Sequence, residues 1–119
     1  MDNKKGNQYY LEKLLKDLAF LYKHTVNLSQ EEFEENEILI DSVMFRLIQI
    51  SENSGKLTDE FKEQFSNIPW RAMKGMRNRI VHEYGNVDLT VIYETVKNDI
   101  PELLHELEQI KEGKAETRQ

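Results

Sequence analysis

Apolar residues recur every three or four positions along most of the chain, which is the spacing of one face of an α-helix. The first run covers residues 7 to about 27, and its apolar positions are Leu11, Leu14, Leu15, Leu18, Leu21 and Tyr22. The second run follows Ser29, which forms a Ser-x-x-Glu capping box with Glu32, and it should end near Gly55. Its apolar positions are Phe33, Ile40, Val43, Leu47 and Ile50. The pattern therefore predicts two long core helices in the first half of the chain.

The second half of the chain predicts three more helices. Thr58 can cap a short helix over 59–65, and a longer helix over 69–85 follows it, with Pro69 at its first position. Asp88 can cap a last helix, whose apolar positions are Leu89, Ile92, Val96, Leu103, Leu107 and Ile110. Pro101 lies inside this last pattern and should kink or divide the helix, because proline has no N–H to donate. Since no segment alternates like a strand for long, we predict an all-α fold, an antiparallel up-and-down bundle of four main helices plus a short fifth.

Length and composition narrow the class of protein. A chain of 119 residues is long enough for one domain, so we expect a single helical domain over 1–119 with frayed tails at 1–6 and 112–119. The sequence has no run of about 18 apolar residues and no apolar signal core at its N-terminus. We therefore expect a soluble, cytoplasmic protein that does not contact membranes.

The chain offers little for metal or redox chemistry. Cysteine is absent, and the three histidines lack the spacing of a zinc site, so we expect no metal and no cofactor. The 16 basic and 22 acidic residues give a net charge of −6, which argues against binding of nucleic acid by bulk charge alone. A local cleft can still be basic on an acidic protein.

The helix predicted over 69–85 places a cation inside its apolar stripe. With about 100° per residue and Arg77 as zero, the apolar residues within about 60° are Trp70, Met73, Ile80, Val81 and Tyr84. Trp70 is accordingly expected in the core. A guanidinium is costly to bury without partners, so Arg77 either pairs with a carboxylate such as Glu52 or Glu37, or serves a function.

One arc of this helix presents a cation, an amide, an imidazole and a phenol, from Arg77, Asn78, His82 and Tyr84. A fixed cation can grip a phosphate, and an imidazole titrates near neutral pH and can move protons. Each group also has a simpler explanation: Asn78 can cap its own backbone, and His82 alone can be a structural or surface histidine. The set as a whole is typical of phosphate chemistry.

Arg77-Asn78-x-x-x-His82-x-Tyr84 resembles the R-x4-H-x-Y signature of the HEPN superfamily, specifically its HepT-like toxin branch. The flanking segments Ile68-Pro69-Trp70-Arg71 and Asn98-Asp99-Ile100-Pro101-Glu102-Leu103 resemble the same branch, and the likeness extends over about residues 38–107. The chain departs from the branch at Ser51-Glu52-Asn53, where Gly-Glu-Ala is frequent. The packing opposite the motif can therefore differ.

The resemblance implies a HEPN-like homodimer in which two copies of the motif face each other across a cleft. It also implies a metal-independent endoribonuclease toxin, with Arg77 and His82 as the catalytic pair and Asn78 in support. His82 would take the proton of a ribose 2′-hydroxyl or give one to the departing 5′-oxygen. The partner implied is a MntA-like minimal nucleotidyltransferase antitoxin, which would add AMP groups to Tyr84 and so block the cleft. Alternatives are a HEPN module that binds RNA or a nucleotide without cleaving it, and a structural dimer.

Two further patterns concern partners. Arg71, Lys74 and Arg79 join Arg77 in a nine-residue window, and they are either a solvated face or a track for an RNA backbone. Several apolar residues do not fit a single bundle stripe and predict a second packing surface, as in a homodimer. These are Met44, Phe45, Ile48 and Met73 or Met76.

Overall fold

The computed structural model describes residues 5–80 and 87–114, and within these ranges every regular element is helical. The elements are α1 (Asn7–Thr25), α2 (Gln30–Glu35), α3 (Glu37–Ser54), α4 (Asp59–Gln64), α5 (Trp70–Lys74), α6 (Met76–Ile80), α7 (Leu89–Glu94), a π-helical turn (Thr95–Asp99) and α8 (Ile100–Lys111). The predicted all-α class is confirmed. None of the helices in these ranges is both long and apolar enough to cross a bilayer.

The long helix α1 lies at the centre of the packing. It contacts α3 on one side and α8 on the other, while α3 also supports α5 and α6, and α2 packs on α7. The apolar stripes predicted for these helices form the core, and its almost fully buried side chains include Leu14, Leu18, Leu21, Phe33, Val43, Leu47, Ile50, Ile100 and Leu107. Tyr22 is an exception, since it lies at the edge of the α1 stripe and is exposed.

Local capping signals set most helix starts. The Ser29 capping box is formed, with the Glu32 N–H donating to Ser29 Oγ at 3.1 Å and the Ser29 N–H donating to Glu32 Oε1 at 2.9 Å. Hydrogen bonds from the backbone and then the hydroxyl of Ser29 hold the pKa of Glu32 below its ordinary value. Thr58 and Asp88 cap α4 and α7 as predicted.

The second predicted helix is divided at Asn36 into two helices, α2 and α3. Asn36 ends α2 through a hydrogen bond from its N–H to the Phe33 carbonyl, and it starts α3 by accepting the Leu39 N–H on its side-chain oxygen. An asparagine amide competes with the helix backbone for hydrogen bonds, so this residue can close one helix and open the next. The chain changes direction there while Phe33 stays in the core.

The last predicted helix is divided as expected. Pro101 cannot donate the backbone hydrogen bond that an α-helix requires at its position, and the π-helical turn lies directly before α8. This turn is fixed to α1 by Lys97, whose ammonium group donates to the carbonyls of Thr25 at 3.3 Å and Val26 at 2.8 Å. A lysine at these carbonyls also complements the negative end of α1.

The helix predicted over 69–85 needs two corrections. It begins at Trp70, because Pro69 is the residue before the first helical position, and it is divided at Gly75 into α5 and α6. Glycine is a weak helix former, and the regular helix is interrupted at Gly75, although its N–H still donates to the Arg71 carbonyl at 3.0 Å. Residues 81–86, where the prediction continued to Gly85, lie outside the described residues.

The second correction concerns the apolar stripe of this helix. Arg77 is exposed, and the buried side chains are Met73, Met76 and Ile80, at 0%, 2% and 4% exposure. Their spacing is still that of one helical face, but its centre is rotated by about 65° from Arg77 at 100° per residue. Trp70 is half-buried against the core as predicted, and its indole N–H donates to the Lys62 and Phe65 carbonyls.

One face of α3 leaves apolar side chains uncovered in the described part of the chain. Phe45 is 57% exposed and Ile38 is 82% exposed, while Met44 and Ile48 are half-buried. Met73 and Met76, the other candidates for a second packing surface, belong to the core. The two most exposed large apolar side chains of the described residues, Ile38 and Phe45, therefore both lie on α3, while Tyr9, Tyr22 and Val26 are 38–40% exposed.

Candidate functional site

A groove of about 590 Å³ lies between the C-terminal end of α3 and the corner where α5 meets α6. We call it the basic groove. Its lining residues are Ser51, Glu52, Gly55, Lys56, Arg71, Lys74, Gly75, Arg77 and Asn78. The groove thus unites residues that lie about twenty positions apart in the sequence.

A hydrogen bond holds the two walls of the basic groove together. The Ser51 hydroxyl, which is buried, donates to the carbonyl of Lys74, the last residue of α5. This bond ties the last turn of α3 to the corner at Gly75, after which α6 carries Arg77 and Asn78. A glycine at position 51 would have no hydroxyl for this contact, so Ser51 supplies a hydrogen bond that the Gly-Glu-Ala segment could not make.

The basic groove has a positive charge on a negative protein. Four cations line it, from Lys56, Arg71, Lys74 and Arg77, against the single carboxylate of Glu52, which gives a local charge of +3 from four positive and one negative groups. The whole chain has a net charge of −6. The C-terminal end of α3 adds a negative partial charge that favours cations nearby. A concave surface with this charge concentrates polyanions.

The structure places four of the predicted site residues together. Arg77 and Asn78 are exposed side by side on α6 and line the basic groove, and Arg71 and Lys74 reach it from α5. The alternative that Arg77 is a buried structural arginine is wrong, because its side chain is exposed. Within residues 5–80 and 87–114, no carboxylate lies within 4.0 Å of its guanidinium.

Arg79 does not belong with the other three cations of its window. It lines a second cavity of about 330 Å³ together with Asp99, Glu102 and Glu106 near the start of α8. There, burial and the neighbouring charge of Glu102 raise the pKa of Glu106. Two residues after Arg77, a helix has turned by about 200°, which explains why Arg79 faces another surface. The predicted RNA track therefore keeps only Arg71 and Lys74.

The remaining predicted site residues, His82 and Tyr84, lie outside the described residues. His24 and His105 are exposed, as predicted for surface or helix-end histidines. Sequence reasoning missed Ser51 and Lys56 as members of the site. The signal for Lys56 was its position directly after the helix end at Gly55, where a cation is favourable, but only the tertiary fold brings it near Arg77.

The fold and the basic groove define a small all-α protein with a cationic groove at an arginine-bearing corner. Comparison with known proteins makes this specific, because the HepT-like ribonuclease family matches residues 14–110. The chain belongs to the HepT-like ribonuclease family, and it is an RNA-cleaving enzyme.

Relatives support the same assignment. A candidate RNase of Caldanaerobacter subterraneus subsp. tengcongensis is 35% identical over 101 residues, which cover 85% of this chain and 90% of the relative. A probable ribonuclease HepT of Thermococcus cleftensis is 32% identical over 108 residues, or 91% of this chain and 98% of the relative. No solved structure matches the chain significantly. The resemblance drawn from the motif is confirmed.

Proposed function

We propose that this protein is a metal-independent endoribonuclease toxin of a toxin–antitoxin module, that it acts as a homodimer, and that AMP addition to Tyr84 neutralises it. The observation that carries the catalytic part is the exposed Arg77 beside Asn78 in the basic groove. The positive charge continues along the basic groove through Lys56, Arg71 and Lys74. A row of cations of this kind can bind the phosphates of an RNA backbone.

In the proposed reaction, the RNA supplies its own nucleophile. The ribose 2′-oxygen attacks the adjacent phosphorus, His82 takes the 2′-hydroxyl proton, and the bond from phosphorus to the 5′-oxygen breaks. The departing 5′-oxygen then receives a proton from solvent water, and His82 returns its own proton to solvent, so that one His82 serves one site. Arg77 stabilises the extra negative charge on the phosphate oxygens in the transition state, and Asn78 donates a hydrogen bond to one of them. No water has to be activated by a metal in this scheme.

The uncovered apolar face of α3 supports the homodimer. Ile38 and Phe45 are 82% and 57% exposed, and no other described residue covers them. Burial of such a side chain in an interface stabilises the association by about 1.5–3 kcal/mol each. Self-association through one face of each copy produces a two-fold dimer.

Mixing two inactive variants tests the catalytic proposal and the shared site together. Wild type should cleave RNA in EDTA, whereas Arg77→Ala and His82→Ala should each lower the rate by about 10²-fold or more. If Arg77 of one protomer works with His82 of its partner, a mixed dimer retains one complete pair, and random exchange should restore about a quarter of the wild-type activity. The measurement is the initial rate of RNA cleavage after subunit exchange.

The outcomes of this mixing experiment differ for each part of the proposal. Activity that requires added magnesium would remove the metal-independent scheme. No restoration on mixing, although exchange of labelled subunits is complete, would place both residues in one protomer. RNA binding by wild type without any cleavage would favour the non-cleaving binding module.

AMP addition to Tyr84 is the regulatory part of the proposal. The antitoxin would transfer AMP from ATP to the phenol oxygen of Tyr84 and release pyrophosphate, and the added negative charge and bulk would oppose the binding of RNA. With a MntA-like nucleotidyltransferase, ATP and magnesium, peptide mass spectrometry should find AMP on Tyr84. Exposed Tyr9 and Tyr22 are internal controls, and Tyr93 is engaged with the Leu28 carbonyl at 2.7 Å.

Modification should also lower the cleavage rate in proportion to the modified fraction. A Tyr84→Phe variant should resist both the modification and the inhibition. Equal labelling of Tyr9 or Tyr22 would show unselective transfer and would contradict this part of the proposal, without affecting the proposed catalysis.

A further inference from the structure

Glu52 is the one carboxylate among the lining residues of the basic groove, where it stands with four cations. Its side chain is exposed, and within the described ranges none of the groove's lysines or arginines lies within 4.0 Å of it. The carboxylate is therefore not neutralised by a neighbour. In a groove that binds RNA, the Glu52 carboxylate repels phosphates and lowers the affinity for the RNA backbone. Binding of the RNA backbone therefore does not explain why the groove has a negative group.

The backbone of Glu52 is fixed in place. It lies in the last turn of α3, directly after Ser51, and the hydroxyl of Ser51 is bonded to the Lys74 carbonyl. The carboxylate is thus presented from a rigid helix end whose distance from the α5–α6 corner is set by a hydrogen bond. Rigid support of this kind is what separates a recognition group from a solvated surface charge.

An ionised carboxylate can only accept hydrogen bonds, so its partner on RNA must be a donor. Phosphates have no donors, whereas bases in single-stranded RNA expose N–H groups on their Watson–Crick edges. Guanine presents two neighbouring donors, at N1 and N2, which match the two oxygens of a carboxylate. Adenine and cytosine present one amino group beside an acceptor, and uracil presents one N–H between two carbonyls, so each of these would place an acceptor against the carboxylate.

We propose that Glu52 is a specificity-determining residue that reads the Watson–Crick edge of an unpaired guanine while the cations of the basic groove hold the backbone. This inference rests on the proposed function, since it names the nucleotide that the same groove selects. It assigns a preference for single-stranded RNA with guanine next to the cleaved bond. Arg77 and Asn78 contact the phosphate, and Glu52 contacts the base.

The test compares Glu52→Gln with wild type on randomised single-stranded RNA whose cut ends are sequenced. Wild type should prefer guanine by about tenfold at one position relative to the cut, as one bidentate contact provides. Glu52→Gln should lose this preference, because the amide places a donor against one of guanine's donors. Replacing that guanine by inosine, which lacks the N2 amino group, should lower wild-type cleavage and leave the variant unchanged.

Glu108→Gln is the matched control, because it removes the same charge from an exposed glutamate on α8, outside the residues that line the basic groove. It should retain the wild-type guanine preference. If Glu52→Gln instead raises or lowers cleavage of all sequences equally, the carboxylate acts only through its charge, or through a contact with Arg77, and base reading is overturned. Wild-type cleavage without guanine preference overturns it as well and leaves the proposed catalysis intact.

A binding measurement separates the failure of this inference from the failure of the proposed function. Fluorescence anisotropy with 2′-O-methyl RNA, which lacks the free 2′-hydroxyl, reports recognition without cleavage. If wild type binds a guanine-containing RNA more tightly than a guanine-free RNA, and Glu52→Gln loses this difference, base reading is supported even if wild type cleaves nothing. If wild type binds the two RNAs equally, or if Glu52→Gln keeps the difference, base reading is overturned.

Discussion

Replacing Arg77 with alanine should lower the rate of RNA cleavage by about 10²–10³-fold, the usual cost of removing one group that stabilises transition-state charge. The same substitution should leave the melting temperature almost unchanged, because the Arg77 side chain is exposed and the buried side chains of α6 are Met76 and Ile80. A large loss of rate without a loss of stability would assign Arg77 to chemistry.

Arg79→Ala is the matched control for this prediction. Both arginines are exposed on α6, and both substitutions remove one positive charge from the same short helix. They differ in the cavity they line, since Arg79 faces the acidic side chains near the start of α8. Arg79→Ala should therefore retain cleavage within about twofold, as expected for a surface charge outside the site.

Single-turnover cleavage with excess enzyme measures the chemical step of these variants, and RNA binding is measured in parallel. Arg77→Lys should recover only part of the lost rate, because an ammonium group keeps the charge but lacks the planar fork that binds two phosphate oxygens. Equal losses in the Arg77 and Arg79 variants would mean that α6 acts through bulk charge, and the assignment of Arg77 would be wrong.

The elements of the fold that the sequence predicted are those that local chemistry determines. A capping residue bonds to a backbone group within three positions, so Ser29, Thr58 and Asp88 could be identified without any tertiary information. The apolar faces of the long helices were equally clear. The breaks at Asn36 and Gly75 were missed, because one polar residue or glycine inside a periodic pattern does not by itself show where a helix ends.

The candidate site was only partly predictable, for a related reason. The helical wheel was centred on Arg77, so its stripe extended to Val81 and Tyr84 and left out Met76, which is buried. Glu52 was named as a possible partner of Arg77, and both do line the basic groove. Lys56 and Ser51 joined the site only through contacts between α3 and the α5–α6 corner, which no short-range pattern encodes.

Another arginine of the chain, Arg46, is paired with a carboxylate in an apolar setting. Arg46 on α3 donates to the carboxylate of Asp17 on α1 at 2.8 Å, and its guanidinium lies over the Phe20 ring at 4.0 Å from the ring centre. The side chain of Asp17 is only 8% exposed, and that of Arg46 is 25% exposed. The pair joins the two helices that form the largest contact of the bundle.

Replacing Arg46 with leucine should therefore lower the free energy of unfolding by about 2–3 kcal/mol at pH 7, because a buried carboxylate is left without its partner. This loss is smaller than the loss expected for a fully buried ion pair, because the Arg46 side chain is 25% exposed and retains contact with water. The double variant Asp17→Leu/Arg46→Leu should recover most of this loss, because two apolar side chains can replace the pair in the same space. Urea denaturation of the wild type, both single variants and the double variant measures the coupling.

The surface pair of Lys111 and Glu12 provides the control for this cycle. Their charged atoms are 3.9 Å apart, with side chains 51% and 50% exposed, so Lys111→Leu should change the free energy of unfolding by no more than about 0.5 kcal/mol. If the two single losses at Asp17 and Arg46 simply add in the double variant, the ion pair does not hold α1 against α3. The last turn of α3 carries Ser51 and Glu52 of the basic groove. Its position would then depend on the apolar core and on the hydrogen bond from Ser51 to the Lys74 carbonyl.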